Sequence, residues 1–384
     1  MAGAAIASAV AAAAISAVTL IVARTVVSPP RRRADDTRIL SIGGAGGLIT
    51  LEATPEAVLP GEYGLFFTDG TGHARLGEVL ATSPHTVTRR LLAVDRGDIS
   101  RARRGRMSGW FYSEPEDLGF PFDDVQIETD LGPAPAWLIP GERPSSRWVI
   151  QVHGRAVRRA ETLRAVPVFR EAGYNSLLVS YRNDGDAPAS ADGRYGLGDT
   201  EWSDVDAAMH FAVDNGATDI VLMGWSMGGA TVLQALTRSE LRGLVRGVAL
   251  DSPVVDWVAA LRHQGQLLRL PNPMRSAAIA LIGAGWAGRL TGQETPIDMR
   301  RLDFVRRSAE LHVPILLMHS DDDGFVPSTA SRALAEARPD IVTFEAFTGA
   351  GHTRLWNYDP ARWNGAIRGW LDTRLGQDST DHLA

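Results

Sequence analysis

The chain opens on an apolar run, residues 4–23, in which no side chain carries a charge. A helix needs roughly 20 such residues to cross a bilayer, and this run shows no polar face to turn away from a soluble core. It predicts a retained, single-pass membrane anchor. A cleaved secretory signal would have a basic start and a shorter apolar core, whereas the first basic side chain here is Arg24. Arg24, Arg31, Arg32 and Arg33 all lie on the C-terminal side of the run. The positive-inside rule then puts the remainder in the cytoplasm, with an extracytoplasmic location as the alternative. Residues 1–37 therefore read as an anchor followed by a proline-broken basic linker.

From residue 38 the pattern shortens. Runs of β-type residues at 38–42, 63–68, 74–80 and 87–94 are separated by turn formers, which predicts a small β-rich domain over 38–122. Gly43, Gly44, Gly46 and Gly47 fall between such runs. No helix follows them at the Gly-x-Gly-x-x-Gly spacing, so they read as a turn and not a phosphate loop.

At about residue 123 the rhythm changes again. An opening hairpin, 125–129 with 136–139, precedes alternating strand-like and helix-like runs. Strands are expected at 148–152, 176–181, 219–224, 248–250, 314–319 and 341–347. Helices are expected at 160–171, 202–213, 227–237, 329–336 and 362–371. Such alternation indicates an α/β fold, with parallel strands joined by crossover helices. Between 256 and 313 the rhythm breaks for longer than a plain crossover needs. Leu267, Leu268, Leu270, Ile279, Leu281, Ile282 and Trp286 there are candidates for a lid over an apolar pocket, or else for ordinary packing on the sheet. Residues 377–384 form a polar tail.

Composition narrows the chemistry. The 384 residues are 45% apolar and 22% charged, with a formal net charge of −6. That balance supplies a sizeable core and lacks the basic domain of a nucleic-acid-binding protein. There is no cysteine, which removes disulfides, thiolate metal sites and cysteine nucleophiles together.

Gly224-Trp225-Ser226-Met227-Gly228-Gly229 follows an expected strand and opens an expected helix. A serine on such a turn is lifted above the sheet edge, and the flanking glycines let the backbone pass. Gly-x-Ser-x-Gly alone is common by chance; its placement between strand and helix is what gives it weight. Ser320-Asp321-Asp322-Asp323-Gly324-Phe325-Val326-Pro327 follows the expected strand at 314–319. Thr348-Gly349-Ala350-Gly351-His352 follows the last expected strand. Of nine histidines, His352 alone lies just past that strand; His382 lies in the tail.

Together these segments resemble the α/β-hydrolase superfamily, over residues 123–376. The run at 319–327 is similar to the family's His-Gly-x-x-Asp-x-x-Val-Pro segment, with Ser320 in the glycine position. The resemblance implies an α/β-hydrolase fold and a serine hydrolase acting on carboxylic esters or thioesters, or on amides, through an acyl-enzyme. Ser226 would be the nucleophile, Asp323 the acid and His352 the base, in the family's chain order. Asp321 and Asp322 would then be turn formers. Asp251, in Leu250-Asp251-Ser252-Pro253, is a second candidate acid. The oxyanion hole would be the backbone N–H groups of Met227 and of Arg155, in His153-Gly154-Arg155. His153 would hold the loop. No cofactor or metal is implied. The expected partners are a small-molecule or lipid-like acyl substrate and, through the N-terminal helix, a membrane. Two alternatives stay open: a peptidase of the prolyl-oligopeptidase type, and a hydrolase-like scaffold without catalysis.

Overall fold

The computed structural model describes residues 2–29, 34–43 and 47–376. Arg31–Arg33 of the linker, Gly44, Gly46 and the polar tail with His382 lie outside the described residues.

A helix, α1 (Ala2–Val27), comes first. Six strands follow: β1 (Thr37–Gly43), β2 (Leu48–Glu52), β3 (Tyr63–Phe67), β4 (Gly72–Thr82), β5 (Thr86–Arg96) and β6 (Arg104–Ser108). They close into a barrel in the order β1-β2-β5-β4-β3-β6, with β6 pairing back onto β1 at Thr37 and Gly105. Closure leaves no sheet edge exposed for pairing with other chains. Sequence reading missed β2 and β6, whose Leu-Ile-Thr-Leu-Glu and Arg-Gly-Arg-Met-Ser are short and mixed. Arg89 is fully buried inside this domain and donates to Ala57 O, Leu59 O, Gly61 O and Gly77 O. Burial lowers its pKa to about 10, and the four carbonyls replace the water it has lost.

The second sheet has eight strands: β7 (Asp123–Thr129), β8 (Gly132–Ile139), β9 (Arg147–Val152), β10 (Asn175–Val179), β11 (Asp219–Trp225), β12 (Val245–Asp251), β13 (Ile315–Ser320) and β14 (Val342–Phe347). Their order is β14-β13-β12-β11-β9-β10-β8-β7. The first two strands form an antiparallel hairpin at one edge, and β9 to β14 run parallel. Alternate residues face opposite layers, as the strand period of two requires. Ile220 and Leu222 join one core, which holds Val205, Met209 and Leu233 of the helices at 202–214 and 227–238. Val221 and Met223 join the other, which holds Phe169, Trp363 and Ile367 of the helices at 166–171 and 360–370. The helices after the sheet begins are α2 (Val166–Glu171), α3 (Trp202–Asp214), α4 (Met227–Arg238), α5 (Trp257–Leu267), α6 (Asn272–Gly283), α7 (Gly288–Thr291), α8 (Thr329–Ala337), α9 (Leu355–Tyr358) and α10 (Pro360–Trp370).

The expected transmembrane anchor finds no support among the described residues. Among them no helix is long and apolar enough to cross a membrane. The last turns of α1 pack on the protein: Thr19, Ala23 and Val27 are buried, and Ala23 and Val27 share a core with Tyr195, Leu197 and Val254.

Barrel and sheet domain meet at Asn357 of α9. Its amide donates to Glu62 O at 2.7 Å and Gly109 O at 3.0 Å, and its Oδ1 accepts from buried Arg164 at 2.6 Å. Glu62 N donates back to Asn357 O. Gly61, at φ +103°, allows this approach, since a Cβ there would lie 2.0 Å from Asn357 O. Asn357→Ala strands two carbonyls and takes one acceptor from the buried Arg164 guanidinium, so it is expected to cost about 3 kcal/mol of stability. Urea unfolding checks this; a loss below about 1 kcal/mol would mean that the junction is held elsewhere.

Candidate active site

Strands β9 and β11 are parallel neighbours, yet the chain reaches β10 between them. In an open α/β sheet the loops leaving such a pair diverge, and their carboxyl ends border a crevice suited to a ligand. His153-Gly154-Arg155 leaves β9, and Ser226 leaves β11.

Ser226 has φ +51° and ψ −116°, a conformation that a non-glycine residue adopts only under constraint. The constraint is visible. Its N–H is bound to Asp251 O and its carbonyl to Gly229 N and Val254 N. A Cβ on Gly228 would lie 2.2 Å from Val152 O, and one on Gly224 would lie 2.5 Å from Gly228 O. Only glycine lets α4 start this close to β9 and β11. The hydroxyl therefore stands at the sheet's carboxyl edge with its residue 5% exposed.

Ser226 Oγ lies 2.8 Å from His352 Nε2, and His352 Nδ1 lies 2.7 Å from Asp323 Oδ2. Asp323 follows β13 and His352 follows β14, so three separate loops converge. The Asp323 carboxylate is buried and well served. Phe325 N and Val326 N donate to Oδ1, at 2.8 and 2.9 Å, and His319 Nε2 lies 3.2 Å from Oδ2. Burial alone would raise this carboxyl. The charge of His352, with the hydrogen bonds of both histidines, outweighs burial and holds it well below the usual carboxylate range.

Asp251 is placed otherwise. It is fully buried beneath the turn, where its carboxylate accepts from Trp363 Nε1 and Ser252 Oγ. Burial raises its pKa, against the pull of Arg164 and these hydrogen bonds. It does not reach His352, whose Nδ1 is taken by Asp323. Asp321 pairs with exposed Arg332. Asp322 does more than form a turn: its Oδ2 accepts from Gly349 N at 2.6 Å and so ties the loop carrying His352 to the loop carrying Asp323.

The loop after β9 is held in detail. Tyr181 Oη donates to Gly154 O at 2.7 Å, and its ring stacks on His153 at 4.2 Å. His153 lies between Gly154 O and Asp184 Oδ2. In a trans peptide the C=O and the next N–H point opposite ways. Pinning Gly154 O therefore aims the Arg155 N–H to the other side of the peptide. A Cβ on Gly154 would lie 3.2 Å from Ser226 Cβ, so the loop passes directly over the serine. Met227 opens α4, and its N–H is one of those that a helix's first turn leaves without an intrahelical partner.

Sequence reasoning missed three supports. His319 falls in the sequence only within the family's segment, and its place four residues before Asp323 is the available signal. Glu161 gave no signal. It is buried, accepts from Gly154 N at 2.9 Å, and receives Thr353 Oγ1 at 3.3 Å, joining the loop after β9 to the residue beyond His352. The third is α1 itself. Val22, Thr25 and Val26 line a cavity of about 280 Å³ that opens at Ser226. Of the lid candidates, Leu268, Leu270, Ile279 and Ile282 line this cavity. Leu281 packs against the core beside the sheet, and Leu267 and Trp286 are exposed.

Metal-ligand spacing occurs among the described residues at His73, Asp95 and Asp117 in the barrel domain. Their polar atoms already serve one another and their surroundings. His73 binds Asp95 and Trp110 O, Arg75 pairs with Asp95, and Asp117 accepts from Ser113 N and Glu114 N.

Comparison with known proteins places two families on the chain. Residues 138–366, more than half of it, match the family described as Alpha/beta hydrolase family, and residues 38–108 match a domain of unknown function (DUF8805). Among solved structures, an esterase of Pyrococcus furiosus superposes with a TM-score of 0.53 at 20% identity, covering 69% of this chain and 95% of its own. Est1E of Butyrivibrio proteoclasticus, with ferulic acid bound, superposes with a TM-score of 0.51 at 18% identity, covering 66% of this chain and 99% of its own. No curated protein matches the chain.

Proposed function

Because the chain belongs to the alpha/beta hydrolase family, we propose that it is a serine hydrolase that cleaves carboxylic esters through an acyl-enzyme. The observation that carries this reading is the unbroken line Asp323–His352–Ser226, at 2.7 and 2.8 Å. A serine hydroxyl is a weak nucleophile until a base takes its proton. His352 Nε2 is within reach of that proton, and Asp323 fixes the ring so that Nδ1 carries its hydrogen toward the carboxylate. Ser226 Oγ attacks the ester carbonyl and its proton passes to Nε2. The carbonyl oxygen becomes an oxyanion, which the N–H groups of Met227 and Arg155 stabilise. His352 returns the proton to the leaving alcohol as the C–O bond breaks. A water molecule, deprotonated by the same nitrogen, then releases the acid and restores Ser226.

The solved esterases of the same fold support an ester substrate over an amide. The cavity walls support an apolar acyl group: Val22, Val254, Trp257, Leu261, Ile279 and Ile282 present hydrocarbon toward the serine. A peptidase of the prolyl-oligopeptidase type finds no support in the N-terminal domain, which is one closed six-stranded barrel and not a set of propeller blades.

Rapid mixing with p-nitrophenyl butyrate tests the acyl-enzyme. A burst of about one p-nitrophenolate per protein chain is expected before the slower steady rate, wherever deacylation limits. A chain that releases no p-nitrophenolate above the buffer rate would contradict the esterase reading.

A further inference from the structure

The cavity at Ser226 is closed on one side by a part of the chain outside the span that matches the hydrolase family. Val22, Thr25 and Val26 of α1 line it, facing Ala278, Ile279 and Ile282 of α6. This helix end is built into the site. The last four carbonyls of an α-helix have no intrahelical donor, and here each has one. Arg24 O accepts from Ser28 Oγ, Thr25 O and Val26 O from Arg155, and Val27 O from Tyr195 N. Arg155 also donates to Ser28 O at 2.8 Å, and Arg24 Nε donates to Leu290 O of α7.

Arg155 is the residue whose backbone N–H is assigned above to the oxyanion. Its guanidinium is mostly buried, lies 5.4 Å from the Tyr195 ring centroid and, among the described residues, donates to α1 and Ser28. Burial lowers its pKa, and the carbonyls at a helix C-terminus supply the partial negative charge that a desolvated cation needs. The loop after β9 and the end of α1 are thus one unit.

We propose that α1 is the specificity-determining wall of the acyl pocket, with Val22, Thr25 and Val26 in contact with a linear aliphatic acyl chain and Arg155 holding that wall in register with the oxyanion loop. The inference rests on the esterase reading. The scissile carbonyl lies at Ser226, and the acyl chain runs away from it between α1 and α6. The walls are hydrocarbon except for Thr25, Arg155 and a few polar groups at the edge, such as Gln264 and Arg275. Discrimination then depends on how many methylenes the α1 wall removes from water, each contributing a few-fold in kcat/KM.

The test measures kcat/KM of the full chain for p-nitrophenyl acetate and p-nitrophenyl octanoate. Val22→Phe fills the cavity from the helix side. Thr25→Trp does the same from an exposed position, and circular dichroism checks that both variants keep the fold. Each is expected to lower the octanoate-to-acetate ratio by about tenfold, the loss when roughly two methylenes leave an apolar pocket. A ratio unchanged within twofold in both variants, whether or not the absolute rates fall, would overturn the proposal while leaving the esterase reading intact. Absence of turnover of either ester by the unaltered chain would overturn both.

Discussion

Ser226→Ala is expected to lower turnover of a short-chain aryl ester by about 10⁴-fold or more, with the fold unchanged by circular dichroism. The size follows from what the substitution removes. Alanine keeps the backbone at φ +51°, the glycines that frame the turn, and both N–H groups assigned to the oxyanion. Only the oxygen 2.8 Å from His352 is lost. Transition-state binding by the remaining groups leaves residual catalysis of the order of 10³ over water, so the variant should be slow and not wholly dead. A loss below about tenfold would mean that another group attacks.

Asp323→Asn is the second large effect, again about 10⁴ in kcat by analogy with the same change in a serine triad. Asparagine fills the same space and can still accept from Phe325 N and Val326 N at one atom. At the other it presents a donor to His352 Nδ1 and to His319 Nε2, where a carboxylate oxygen stood. The ring is then favoured in the tautomer that points a hydrogen at Ser226 and cannot take its proton. Activity that remains should rise at alkaline pH, where hydroxide substitutes for the disabled base. Asp251→Asn should lose less than about tenfold, since Asp251 bonds Trp363 and Ser252 and never meets His352. Asp321→Asn should also be mild, and so should Asp322→Asn, because an amide oxygen can still accept from Gly349 N. If Asp251→Asn proved crippling and Asp323→Asn mild, the acid would have been misassigned.

Asp323 removes stability as well as activity when it is neutralised by acid. Its carboxyl is held below the ordinary value near 3.9, so the folded state gains from its charge above that pH and loses the gain as pH falls through the lowered value.

The site and the sheet were legible in the sequence for a common reason. Parallel strands buried on both faces read as short apolar blocks, and residues 148–152 and 219–224 stand out between polar segments. The proposed catalytic residues sit in the loops that directly follow those blocks, so finding the strands almost finds Ser226, Asp323 and His352. The barrel was half legible. Its longer strands alternate, but β2 and β6 have five residues each and gain their burial only from neighbours across the barrel. Residues 160–165, read as the first turns of a helix, belong to a 3₁₀ segment before α2. The tighter turn buries Glu161 and Arg164 where they can reach Gly154 and Asn357.

The contacts made by the end of α1 were not legible. Hydropathy along a sequence reports that a segment is apolar and not what it lies against. Residues 4–23 satisfied a bilayer template, while the structure sets the end of the helix against α6 and α7 and gives every terminal carbonyl a partner. No spacing rule links Arg155 to Thr25 and Val26 across roughly 130 residues. Glu161 escaped for the same reason, because its partners Gly154 and Thr353 come from two different loops.

The central claim, that Ser226 is a nucleophile activated by His352 and Asp323, meets its most direct test in covalent labelling. The full chain is treated with a fluorophosphonate, digested and mapped by mass spectrometry. A single phosphonyl adduct is predicted on Ser226, formed faster than on free serine and absent from Ser226→Ala. An adduct that persists in Ser226→Ala, or an active esterase that takes no adduct at Ser226, would contradict it.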